Sequence, residues 1–158
     1  MKTISALGAA VGAAAPVVLF FGASTAHADD NYQQFACASG NIRCILEGGD
    51  ALRPLAICQI GDRTYAVPPG SDRDQNGAPC PPGSDRGRDF RPDQGQAAYV
   101  TCTYSALGSG IGGWPTLGFG ETRSLGTVTC SSQPVGMTCT DASSGHFFRV
   151  SRESYELG

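Results

Sequence analysis

The sequence predicts an all-β fold, a small disulfide-stapled β-sandwich or partly open barrel. Three observations predict it. Short segments rich in β-branched and aromatic residues recur at close spacing, each bounded by Gly, Pro, Asn, Asp or Ser. No window of a dozen residues after position 28 sustains a helical period, because Gly and Pro interrupt every candidate. Seven cysteines are spread over the rest of the chain, the pattern of a small domain that supplements a modest core with covalent bridges.

In chain order, residues 1–28 read as a secretory signal peptide. Lys2, the sole lysine, supplies the positive start, an apolar stretch follows, and Ala26-His27-Ala28 forms a small-x-small cleavage site. Residues 29–158 are then expected to form one secreted domain in an oxidising compartment, where thiols pair. Seven is odd, so one thiol is left over. Strands are expected over residues 32–36, 42–46, 55–60, 64–67, 98–104, 127–131, 137–140 and 147–151, with a short helical turn at 151–155.

Two hairpins follow from cysteine spacing. A Gly40-Asn41 turn would set Cys37 opposite Cys44, and a turn through Gln133-Pro134-Val135-Gly136 sets Cys130 opposite Cys139. Only the second is uncontested, since Cys58 also competes for Cys44. Residues 68–96 are rich in Pro, Gly, Asp and Arg, with Phe90 the only large apolar side chain, and are expected to form a long mobile polar loop tied at Cys80. That segment holds a direct repeat, Pro-Pro-Gly-Ser-Asp-Arg, beginning at Pro68 and again at Pro81.

The formal net charge of −3 gives no electrostatic footprint for nucleic acid, and no stretch after the signal is long enough for a membrane span. Asp72-Arg-Asp-Gln-Asn-Gly77 matches the start of a calcium loop, with Asp72, Asp74 and Asn76 as candidate ligands. The twelfth position is Gly83 where a bidentate glutamate is required, so a solvated turn is the default and no metal or other cofactor is expected. Zinc is disfavoured by the lack of any C-x-x-C pair. Around Arg86, Arg88 and Arg91, the aspartates Asp85, Asp89 and Asp93 alternate and cancel the local field.

His146, the only histidine after the signal, is the one imidazole available for acid–base chemistry, with Ser143, Ser144, Ser151 and Asp141 near in sequence. No nucleophile-elbow motif accompanies it, so a small hydrolase is the alternative rather than the leading reading. Paired carboxylates for glycoside hydrolysis are not brought together by any pattern in the sequence. Trp114, in the glycine-rich stretch 108–120, is either folded over the core edge or an aromatic contact for a partner.

Two segments carry a resemblance. Phe35-Ala-Cys-Ala-Ser-Gly-Asn-Ile-Arg-Cys44 resembles the F-x-S-P-S-G-N-I-x-C opening of a family of small secreted actinobacterial proteins, many mycobacterial, that has no established function. Cys130 to Cys139 followed by Gly145-His-Phe-Phe-Arg-Val-Ser-Arg-Glu-Ser-Tyr155 resembles the same family's ending, G-H-G-F-x-[LV]-S-R-x-x-Y. The resemblance implies a compact β domain with bridges Cys44–Cys58, Cys80–Cys102 and Cys130–Cys139, and implies no activity. Cys37 stands where the family has serine, which makes it the candidate free thiol, and Phe147 stands where it has glycine. Arg152 and Tyr155 would anchor the C-terminal segment, Arg152 against a carboxylate such as Asp141, and Gly145 would let two strands pass closely. Trp114, His146, Arg152 and Tyr155 are the candidate binding residues. The function expected is a secreted, non-catalytic binding or envelope-associated module with an extracellular or cell-envelope partner. It is expected as a monomer, or as a disulfide-linked dimer if Cys37 is exposed.

Overall fold

A computed structural model describes residues 31–49, 52–108 and 113–158. The expected signal peptide and the middle of the glycine-rich stretch lie outside the described residues. The described chain is all-β: β1 (Tyr32–Cys37), β2 (Ile42–Gly49), β3 (Leu52–Ile60), β4 (Asp72–Arg73), β5 (Asp85–Arg91), β6 (Tyr99–Thr103), β7 (Thr116–Leu117), β8 (Thr122–Leu125), β9 (Val128–Gln133), β10 (Gly136–Asp141), β11 (Phe147–Val150) and β12 (Tyr155–Leu157). They form two sheets that face each other as a sandwich and do not close into a barrel, with strand orders β4-β6-β5-β3-β2-β1-β7 and β12-β11-β10-β9-β8. Among the described residues no helix is long and apolar enough to cross a membrane.

The core follows from strand alternation, since successive side chains point to opposite faces. In the larger sheet Cys58, Phe90 and Val100 stand directly across from one another on β3, β5 and β6, and all are fully buried. The smaller sheet answers with Val128, Cys130, Met137, Cys139, Phe148 and Val150, each fully buried. Cys44 is bonded to Cys58 and Cys130 to Cys139, each across neighbouring strands, and Cys80 to Cys102. The first two bridges meet in mid-core, where Cys58 Sγ and Cys139 Sγ are 3.5 Å apart. An end of the core is closed by rings: Tyr155 lies 5.1 Å from Tyr65 and 5.5 Å from Phe90, which in turn lies 5.7 Å from Phe148.

Several expectations are corrected. Cys37 is not opposite Cys44: β1 pairs Phe35 with Cys44 and Ala36 with Arg43, because the connection spans residues 38–41 rather than two residues. Residues 64–67 are not a strand, although Tyr65 packs in the ring cluster. The helical turn at 151–155 is instead a hydroxyl-stapled turn, in which Ser151 Oγ accepts the N–H groups of Glu153 and Ser154 before β12 begins.

The largest correction concerns residues 68–96, which are not one long polar loop. Each copy of the hexapeptide makes the same turn, with Ser71 N–H donating to Pro68 O and Ser84 N–H to Pro81 O. Gly70 and Gly83 take φ values of 81° and 89°, as the third position of a type II turn demands. Each turn then delivers its Asp-Arg into a strand beside β6, β4 in parallel and β5 antiparallel. The duplication thus supplies both neighbours of one strand. The charged composition is tolerated because β5 needs only Phe90 on its inner face, while its backbone hydrogen bonds and the Cys80–Cys102 bridge hold the rest.

Candidate functional site

The two segments that carry the resemblance lie about a hundred residues apart in sequence, and the fold brings them together. A cleft of about 350 Å³ is lined by Cys37, Ser39 and Asn41 from the β1–β2 connection and by Gly136, Ser151 and Arg152 from the C-terminal part. Phe119 and Val135 stand on its edge at 59 and 62% exposure, two of the most exposed large apolar side chains described. Lone exposed apolar residues are ordinary; here two of them rim one concavity.

The polar lining is built from local hydrogen bonds. The Asn41 carboxamide mimics a backbone pair, donating from Nδ2 to Asp62 O at 3.0 Å and accepting Asp62 N–H on Oδ1 at 2.7 Å. Ser39 Oγ accepts the Asn41 N–H at 3.3 Å. Opposite them, Gly136 lies where a Cβ would sit 2.1 Å from the Val150 carbonyl oxygen, so only glycine lets β10 and β11 approach here. That close approach falls at Gly136 and not at Gly145, whose added Cβ would meet open space and whose φ of 79° is what calls for glycine. Arg152 and Glu153 point exposed side chains from the wall, and among the described residues neither side chain has a hydrogen-bond or ion-pair partner.

Cys37 is the free thiol and lines the cleft from below, 5% exposed. Its sulfur accepts the Ile42 N–H at 3.2 Å and meets Ser39 Oγ at 3.2 Å. A thiol so placed is not presented for bridging two copies, the condition on which a covalent dimer was expected. Iodoacetamide is expected to label the folded protein far more slowly than the denatured one, with peptide mapping finding the label on Cys37. Equal rates in both states would show that the cleft exposes the sulfur.

The other sequence candidates are placed elsewhere. Trp114 is half-buried, its ring against Gly108 and beneath the Arg43 guanidinium at 5.6 Å, away from the cleft lining. Tyr155 serves the ring cluster. Arg152 does not pair with Asp141; its carbonyl accepts from Thr64 N–H at 2.8 Å and Thr64 Oγ1 at 3.3 Å. His146 Nδ1 lies 3.1 Å from Gly158 O, while the hydroxyls of Ser143 and Ser144 are turned to Asp141 rather than to the imidazole, so no nucleophile–base pair is assembled there.

Two of the calcium candidates are engaged by the protein itself. Asp72 is buried against Arg86 at 3.5 Å, and Asp74 Oδ1 is taken up by the N–H groups of Asn76 and Ala78, both at 2.8 Å. The one group of three metal-type ligands found close together among the described residues is Cys44, Cys58 and Cys139, all of them in disulfides. Phe119 and Val135 were not singled out by sequence; each is a lone apolar residue in a Gly- or Pro-marked turn, and only the fold makes them a pair. No protein-family model, no curated protein and no solved structure matches this chain.

Proposed function

We propose that the chain is a secreted, non-catalytic binding domain that engages an extracellular or cell-envelope partner by seating an apolar group between Phe119 and Val135. The observation that carries this reading is the cleft itself, where residues of the opening and closing segments share one concavity with an exposed apolar edge. The resemblance to small secreted actinobacterial proteins and the signal-like first 28 residues support secretion. The unpaired Arg152 and Glu153 add a charge of each sign beside the apolar edge, which favours one docking orientation over others.

A photo-reactive phenylalanine analogue at position 135, in cells producing the protein, is expected to give a discrete adduct. The same analogue at position 52 is the control. Leu52 is as exposed, at 64%, but lies at the far end of β3 from Ile60, which pairs with Ile42 beside the cleft. The adduct at 135 should vanish when Phe119→Asp is added. Equal adducts at both positions, or none at 135, would overturn the assignment.

A further inference from the structure

A second concavity among the described residues is larger than the cleft. A groove of about 600 Å³ runs over the outer face of the larger sheet, between the turn at Asp74–Asn76 and residues 104–108, and shares no lining residue with the cleft. Its floor follows from register. Asp89 and Thr101, which line it, stand directly across from each other on β5 and β6, with Gln59 of β3 across from Asp89, one residue out of phase with the core row and so on the opposite face.

Asp89 is 7% exposed, and its Oδ1 has no donor in full hydrogen-bond geometry. Thr103 Oγ1 and Gln59 are the side chains that approach the carboxyl, and the Gln59 carboxamide is shared with Ser105 O at 2.9 Å and Leu107 N–H at 2.8 Å. A buried carboxylate oxygen without a donor is costly, and such groups are rare without a reason. Burial pushes the Asp89 carboxyl up to about 6; Gln59, Thr103 and Arg88 oppose that shift and Asp85 adds to it.

Asp89 thus brings an incompletely satisfied carboxylate to the lining of the groove. Its lining favours one ligand chemistry. Arg91 is held by Asp93 at 2.6 Å, so with Asp74 and Asp89 the surface is net acidic and unsuited to phosphate, sulfate or uronate. Asn76, Thr101 and Ser105 offer both donors and acceptors. Tyr104, 73% exposed, and Leu107 offer apolar faces. A sugar presents this combination in return, hydroxyl donors around an apolar C–H face.

We propose that the groove is a saccharide-binding site that takes a neutral oligosaccharide, with ring hydroxyls donating to Asp89 and one ring lying on Tyr104. This reading does not depend on the cleft. Saturation-transfer NMR of the disulfide-intact protein with glucose, mannose, xylose and N-acetylglucosamine trisaccharides is expected to show transfer to at least one of them. Asp89→Asn and Tyr104→Ala should each weaken the Kd of that sugar at least tenfold, while both variants keep the parent circular dichroism. Val135→Asp should leave the Kd unchanged. The proposal is overturned if none of the four sugars binds, if binding survives both groove substitutions, or if the groove instead binds spermidine and no sugar, which would make it a cation site.

Discussion

Asp141→Ala is expected to cost on the order of 2 to 3 kcal/mol of folding stability, because a carboxylate that accepts several charge-assisted hydrogen bonds is removed, while its donors on the exposed residues Gly95, Ser143 and Ser144 turn to water. Oδ2 accepts Gly95 N–H, Ser143 Oγ–H and Ser144 Oγ–H, each at 2.7 Å, and Oδ1 accepts Ser143 N–H at 3.1 Å. The Gly95 bond reaches across from the segment that follows β5, so one side chain ties the larger sheet's connection to the end of β10. Burial by itself would raise the Asp141 pKa, but the hydrogen bonds from Gly95, Ser143 and Ser144 outweigh it and hold the carboxyl well below the usual range. Its stabilising contribution is therefore complete above the unfolded value of 3.8 and is lost as pH falls below it. Urea unfolding at pH 7 and pH 3 measures both effects. A loss under about 1 kcal/mol at pH 7 would show that the network does not hold the fold.

Asp89→Asn is expected to act in the opposite direction, raising stability at pH 7.5 by on the order of 2 to 3 kcal/mol, since each pKa unit corresponds to about 1.4 kcal/mol. Its carboxyl titrates near 6 in the fold against 3.8 when unfolded. A raised value means that the wild-type contribution is full below 3.8 and is lost as pH rises through 6. The wild type should thus gain stability between pH 7.5 and pH 4.5, and the variant should be nearly flat over that window. The charged groups facing Asp89 are Asp85, Arg88 and Arg91 on the same strand and Asp74 across the groove, and the Asn variant, which keeps all four, isolates the contribution of Asp89. A variant no more stable than wild type at pH 7.5 would show that the carboxylate is compensated in the fold.

Strands with conventional alternation were legible, and the cores of β1, β2, β3, β6, β9, β10 and β11 fall where β-branched and aromatic residues cluster. β5 was not, because Asp-Arg-Gly-Arg-Asp-Phe-Arg carries a single core residue and no propensity scale favours it. What makes it a strand is non-local: β3 on one side, β6 on the other, and Phe90 locked between Cys58 and Val100. The same non-locality hid the groove. In the sequence Asp89 is one of several aspartates alternating with arginines; only cross-strand register sets it between Gln59 and Thr101 and buries it. The hairpin Cys130–Cys139 was readable from turn chemistry alone, whereas the Cys37–Cys44 reading failed on loop length, which shifts register and decides which residues face each other.

The bridges are strictly sequential, with separations of 14, 22 and 9 residues, and none encloses or crosses another. Each can therefore close within its own stretch of chain as soon as that stretch is available, without waiting for distant parts to arrive. The hazard in such oxidative folding is Cys37, which is nearer to Cys44 in sequence than Cys58 is, so loop-closure entropy favours the wrong partner early on. Two registers remove that competitor once the sheet forms: β1 on β2 sets Phe35, not Cys37, across from Cys44 and leaves Cys37 buried beneath the cleft, out of reach of further thiol exchange, while β2 on β3 sets Cys44 across from Cys58.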